Sequence, residues 1–119
     1  MNETELKLVI QALTCSIGNC VEWHNDKTAH RIRKDPELKG LTPEAIKTEV
    51  RNFVRAGGKI SQVIEKRAEY VDEWEFYYKA IILDEDPNFP HGIFVEMRLA
   101  DPDPEMPMIW LVNAHPQRR

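Results

Sequence analysis

Two short turns rich in aspartate and proline interrupt the second half of this 119-residue chain. They lie at 84–90 and 101–107, and each separates two segments of strand-like sequence. A parallel crossover needs a dozen or more connecting residues, so connections this short require consecutive strands to run antiparallel. The sequence therefore predicts a four-stranded antiparallel meander, with strands near 59–67, 74–83, 92–100 and 107–114.

The third of these strands has the clearest pattern of alternating apolar and polar residues. Alternation predicts that one set of side chains faces the core: Val95, Met97, Val112 and Ala114. It predicts that a second set faces outward: Glu96, Arg98, Asn113 and His115, joined by Tyr77 and Lys79 from the second strand.

The first half of the chain has helical periodicity. Leu6, Val9, Leu13 and Ile17 predict a first helix over 5–23. The segment from Asp26 to Lys34 is predicted to form a short second helix. Thr42-Pro43-Glu44 is a helix start and Gly57-Gly58 a helix stop, which predicts a further helix over 43–56 with a core stripe. That stripe consists of Ile46, Val50, Phe53 and Val54. We therefore expect one α+β domain over 1–119, with N-terminal helices packed on the meander.

Composition is that of a globular protein, with 42% hydrophobic and 30% charged residues. The sequence lacks a membrane-length apolar run and a secretory leader, so we expect a cytoplasmic protein with no membrane partner. Cys15 and Cys20 are expected to be two buried thiols that do not bridge, because five residues on a helix do not bring two side chains together.

Charge is distributed unevenly along the chain. Residues 24–70 contain 11 Lys and Arg against 7 Asp and Glu, whereas residues 71–108 contain 2 against 10. The split predicts a basic side and an acidic side, so the net charge of -4 does not exclude a phosphate-bearing partner. It does make a general nucleic-acid binder less favoured, since such proteins are usually basic overall.

Two basic groups lie in the first half of the chain. Lys47, Arg51 and Arg55 recur at every fourth position of the helix over 43–56 and form a stripe along which a phosphate backbone could lie. His30 and Arg33 belong to a second cluster, in which the neighbouring cations disfavour a charged imidazole, as suits a general base. The alternative for both groups is a solvated surface.

The predicted outer face of the sheet combines a proton acceptor, a proton donor and a cation, which phosphodiester cleavage by a neighbouring hydroxyl requires. The alternative is a solvated face with cross-strand charge pairs such as Glu96 with Lys79. The four histidines are scattered and the chain has no Cys-x-x-Cys pair, phosphate loop or dinucleotide motif, so we expect no metal and no cofactor.

His30-Arg31 precedes the helix over 43–56, and Asn113-Ala114-His115-Pro116 closes the last strand. This arrangement over residues 28–116 resembles small RelE- and BrnT-like toxin domains of the barnase-EndoU-colicin-RelE ribonuclease superfamily. The resemblance implies a metal-independent endoribonuclease, with His30 and His115 as acid and base and Arg98 as the cation at the transition state. RNA would then be bound by the basic residues Lys47, Arg51, Arg55 and Arg33.

The acidic second half departs from that pattern, and it leaves a rival interpretation open. A non-enzymatic module of antitoxin or immunity type would bind a basic protein partner through the acidic loops 84–86 and 101–105.

Overall fold

Helices occupy the first half of the chain and strands most of the second in the computed structural model, which describes residues 2–15 and 20–117. The helices are α1 (Glu3–Thr14), α2 (Asp26–Lys34) and α3 (Pro43–Arg55), with a 3-10 turn at Pro36–Leu38. The strands are β1 (Val21–Trp23), β2 (Ser61–Ile64), β3 (Phe76–Ile82), β4 (Ile93–Asp101) and β5 (Met108–Pro116). No helix within these described ranges is long and apolar enough to cross a membrane.

The strands form one sheet in the order β1-β5-β4-β3-β2. Strands β2 to β5 are the expected antiparallel meander, while β1 pairs with β5 in parallel. The α+β class is therefore confirmed, but the prediction of a four-stranded, purely antiparallel sheet is wrong. The sheet is mixed and has five strands.

The additional strand comes from the segment that the sequence predicts to be the end of the first helix. Helix α1 begins at an Asn2 cap, whose side chain accepts the Glu5 N–H at 3.0 Å, but it ends at Thr14. Val21–Trp23 then pairs with Ile109–Leu111. Short apolar runs fit helix and strand periods equally well, and here pairing with β5 decides the outcome. Ile17 of the predicted helix face lies outside the described residues.

The other helices follow their sequence signals. Helix α2 spans the predicted range, and the Thr42 hydroxyl caps α3 by accepting the Ala45 N–H at 3.0 Å. Gly57, at φ 93°, takes the left-handed conformation that ends α3. Strand β2 is shorter than predicted and covers only Ser61–Ile64, so the chain up to β3 is free to fold over the sheet.

The helices cover the inner face of the sheet and enclose the core. Val9 and Leu13 of α1 and Ile46 and Val50 of α3 are fully buried against the inward residues of the strands. Tyr78 is also buried there, and its hydroxyl donates to Glu5 at 2.8 Å. Burial, together with the nearby Glu5 carboxylate, raises the pKa of Tyr78.

A β-bulge changes which residues of β5 face outward. Glu96 pairs with Asn113 but Met97 pairs with Leu111, so Val112 is an extra residue with no partner opposite. Ala114 faces the core as predicted, whereas Val112 lines the outer face. The prediction for Val112 is wrong because strict alternation fails at a bulge.

The two cysteines are closer than their predicted helical spacing allows. Helix α1 ends before Cys15, so Cys15 and Cys20 do not share a helix. A side-chain hydrogen bond with Cys15 raises the pKa of the buried Cys20 thiol. Cys15 itself is only partly buried.

Candidate functional site

The outer face of the sheet, opposite the helices, carries a group of polar and aromatic side chains. In β4, alternation directs Glu96 and Arg98 outward, and each is less than a tenth exposed. Their partners across β5 are Asn113 and Trp110. Lys79 of β3 lies directly opposite Glu96 in the strand pairing.

Two carboxylates and two guanidiniums meet on this face and form what we call the ion cluster: Glu65, Arg67, Glu96 and Arg98. Arg67 donates to both Glu65 oxygens at 2.8 Å and to the two Glu96 oxygens at 3.2 and 2.8 Å. Arg98 donates to Glu65 at 2.9 Å and lies 3.6 Å from Glu96. Glu65 follows β2 directly, so the cluster ties the segment after β2 to the centre of the sheet.

The cluster stabilises the ionised form of its most buried carboxylate. Glu65 is 2% exposed, yet hydrogen bonds from Arg67, supported by Arg98, lower its pKa to about 2. The same bonds to Glu65 and Glu96 raise the pKa of Arg67. Charge-assisted bonds in this geometry outweigh the desolvation that would otherwise favour a protonated carboxyl group.

Aromatic rings from the segment after Arg67 cover the guanidiniums. Arg98 lies 4.5 Å from the Tyr70 ring centroid and 5.3 Å from that of Trp74. Arg67 lies 4.7 Å from the centroid of Tyr77. All three distances are within the range of cation–π attraction. Arg98 Nη1 is buried without a hydrogen-bond partner among the described residues, whereas Arg67 remains 39% exposed at the surface.

A cavity of about 410 Å³ opens beside the ion cluster. Trp110 forms part of its wall, stacked on His24 at 4.5 Å between ring centroids and in edge contact with Trp74 at 6.2 Å. Polar groups complete the lining: Asn25, Thr28, Arg67, Glu73, Glu96, Arg98 and Asn113. A second, more open cavity of about 580 Å³ shares Arg67 and is also lined by Lys66 and Tyr77. Arg67 therefore lies where the two cavities meet.

The structure brings only one of the three predicted catalytic residues into this cavity. Arg98 lines it. His115 lies on the same sheet face but stacks on Phe94 at 5.0 Å. Phe94 pairs with His115 and is four residues from Arg98 along β4, which separates the two positions by about 13 Å.

His30 lies on another side of α2. Thr28 of this helix lines the cavity, and Arg31, three residues on, donates to Asn113 Oδ1 at 2.7 Å. His30 is two residues from Thr28, a rotation of about 200° around the helix, and is exposed. The three residues do not surround one phosphate in this structure, and the acid and base roles of His30 and His115 stay predictions.

The predicted RNA-binding residues make contacts within the fold. Lys47 lies 3.9 Å from Glu22, and Arg33 donates to Glu44 at 2.5 Å. Arg51 and Arg55 both donate to the Cys15 carbonyl, Arg55 at 3.4 Å. None of these four residues lines the cavity of about 410 Å³. RNA binding by these residues stays a prediction.

Sequence reasoning missed the aromatic half of the site. The bulge at Val112 reverses the alternation, so Trp110 faces outward with Asn113 rather than inward. The predicted strands over 59–67 and 74–83 place Arg67 and Trp74 at strand ends, whereas both belong to the segment between β2 and β3 that folds over the sheet. A usable signal was the dense run of charged and aromatic residues over 65–78, which is unlike a solvated turn.

Within residues 2–15 and 20–117, no group of three or more His, Cys, Asp or Glu side chains is arranged to hold a metal ion. Comparison with protein-family models, with curated proteins and with solved structures finds no match to this chain. The site must therefore be interpreted from its own chemistry.

Proposed function

We propose that this chain binds single-stranded RNA on the outer face of its sheet and cleaves it without a metal. The observation that carries the proposal is the presence, in one cavity, of the Arg67–Glu96 ion pair and the aromatic rings of Trp74 and Trp110. Guanidinium groups bind phosphate, and aromatic rings stack with bases of any sequence, which is the usual combination in proteins that bind single strands.

The chemistry proposed is attack of a ribose 2′-hydroxyl on the adjacent phosphorus. Glu96 accepts the hydroxyl proton, and a protonated His24 donates a proton to the departing 5′-oxygen. The new O–P bond closes a 2′,3′-cyclic phosphate as the bond from phosphorus to the 5′-oxygen breaks. Arg67 stabilises the negative charge that develops on the phosphoryl oxygens.

Arg67 suits that role better than Arg98 because a ligand can reach it. The Arg67 side chain is 39% exposed, whereas that of Arg98 is 4% exposed beneath Tyr70 and Trp74. Arg98 then orients Glu65 and Glu96, which in turn hold Arg67. In this proposal Arg98 acts through its neighbours, as a positioning residue.

The test is incubation of the purified protein with a fluorescent single-stranded oligoribonucleotide in excess chelator. We expect fragments that end in a 2′,3′-cyclic phosphate, and a large loss of rate in Arg67→Gln. Lys7→Gln, which removes an exposed cation of α1 on the opposite side, is the matched control and should cleave normally. Intact RNA with the wild-type protein, or cleavage that requires a divalent ion, would contradict the proposal.

A second candidate, an interaction module for a basic protein, has one observation in its favour. Met106 is 59% exposed and follows the acidic loop 101–105. Asp101 and Asp103 are held in place because their carboxylates accept hydrogen bonds from backbone N–H groups of the same loop. Carboxylates held in fixed positions give a surface that can complement a basic partner electrostatically. Binding of polylysine that is lost in Asp101→Asn/Asp103→Asn, without any RNA binding, would favour this candidate.

A further inference from the structure

The cavity of about 410 Å³ is lined in part by aromatic rings, and it has no excess of positive charge. Its two guanidiniums, Arg67 and Arg98, are already matched by the carboxylates of Glu65 and Glu96. Glu73 contributes a further carboxylate to the lining. An anion entering this cavity would meet guanidiniums that are already paired with carboxylates, so a phosphate is not the group that the interior fits.

The walls provide what an uncharged heteroaromatic ring requires. Trp110, stacked on His24, and Trp74, inclined to it at 67°, supply aromatic surfaces. Asn25 and Thr28 bring hydrogen-bonding side chains at the start of α2. Apolar walls with a few convergent polar groups, at this volume, are typical of small-molecule sites.

We infer that this cavity binds one unpaired nucleobase of the RNA, while the phosphate attached to that nucleotide stays outside at Arg67. The inference rests on the proposed function and adds which part of the RNA enters the cavity. Arg67 lines both cavities, so a strand can pass from the first to the second, beside Lys66, without its backbone entering either interior.

Tryptophan fluorescence of the intact protein tests this directly. Two of its three tryptophans, Trp74 and Trp110, line the cavity, while Trp23 donates its indole N–H to the Pro43 carbonyl at 2.9 Å and does not line it. Titration with adenosine, guanosine, cytidine and uridine should give saturable quenching with at least one nucleoside. Trp23→Phe should leave that response unchanged.

Substitutions in the wall should weaken nucleoside binding. Trp110→Leu is expected to reduce the affinity by roughly tenfold or more, the effect of losing one stacking partner. His24→Ala, on the exposed side of the same stack, is a second variant that leaves the sheet residues in place. Inorganic phosphate and ribose 5-phosphate should neither quench the fluorescence nor compete with the nucleoside.

The outcomes separate this inference from the proposed function. Nucleoside binding without RNA cleavage would support the nucleobase site and overturn the ribonuclease proposal. RNA cleavage that is unaffected by Trp110→Leu, with no response to any nucleoside at millimolar concentration, would overturn the nucleobase site alone. Competition by inorganic phosphate as effective as that by nucleosides would also overturn it.

Discussion

Arg98 and Glu65 are 33 residues apart in the sequence and form a hydrogen bond of 2.9 Å in which both side chains are almost fully buried. This bond joins the centre of the sheet to the segment after β2 that supplies Tyr70 and Trp74. The walls of the cavity therefore depend on buried charges that compensate one another.

Removing one member of this pair should destabilise the protein strongly. We expect Arg98→Met to lower the free energy of unfolding by about 3 to 5 kcal/mol, because it leaves buried carboxylates less well compensated. Lys79→Met, which changes a half-buried cation on the same sheet face, is the control. Urea denaturation measures both, and adding Glu65→Gln to Arg98→Met should recover part of the loss.

Acid should unfold the protein partly through Glu65. Its pKa is about 2 in the folded state and about 4.3 in an unfolded chain, so folding favours the ionised form. The resulting stability, on the order of 2 to 3 kcal/mol, is complete above pH ~4.5 and is lost as the pH falls toward 2. Urea denaturation at several pH values should show a flatter dependence in Glu65→Gln, and the wild-type slope in the exposed-site control Glu69→Gln. Equal slopes for wild type and Glu65→Gln would contradict this account.

The inner face of α1 should behave as core. Leu13 is fully buried, so Leu13→Ala is expected to cost about 2 to 5 kcal/mol of unfolding free energy. Ile10, on the same helix but 39% exposed, provides the matched control, and Ile10→Ala should cost much less. A loss in Leu13→Ala no greater than that in Ile10→Ala would show that this face does not carry the core.

The sequence predicted those parts of the fold that depend on local signals. The Thr42 cap, the Gly57 stop and the alternation of β4 each depend on a few neighbouring residues, and each formed as expected. The parallel strand at Val21–Trp23 could not be predicted in this way, because its partner β5 lies almost ninety residues further along the chain.

The candidate site was likewise predicted only where it depends on a local pattern. Glu96 and Arg98 followed from simple alternation, and both lie in the ion cluster. Trp110 was missed because the bulge at Val112 reverses the alternation on the Trp110 side of β5. Arg67 was missed because β2 ends at Ile64, three residues before Arg67. Bulges and strand ends are set by tertiary packing, which no short sequence window contains.

Salt dependence should show which cations bind RNA. Arg67→Gln should reduce the slope of log affinity against log salt by about 0.7, the value for one phosphate contact on a single strand. The sequence favours the stripe instead, but Arg55 already donates to the Cys15 carbonyl and Lys47 lies near Glu22. We therefore expect Lys47→Gln/Arg55→Gln to keep the wild-type slope, and a reduced slope there would support the stripe.

Histidine substitutions should separate the two catalytic assignments. His24 lines the cavity, so His24→Ala is expected to lower the cleavage rate by about 10²- to 10⁴-fold, as loss of a positioned acid does. The sequence assigned this chemistry to His30 and His115, and their alanine variants test it in the same assay. His91→Ala, at an exposed turn, is the control. Full activity in His24→Ala, with loss in His30→Ala and His115→Ala, would restore the assignment from sequence.

The location of bound RNA is the central claim, and amide chemical-shift mapping by NMR during titration with a short single-stranded RNA tests it most directly. We expect the largest shifts at the backbone amides of Glu96 and Arg98 and at the indole N–H groups of Trp74 and Trp110. The indole N–H of Trp23, bonded to Pro43, is the internal control and should not move. Shifts confined to α3 around Lys47–Arg55, or no shifts at low salt, would contradict the claim.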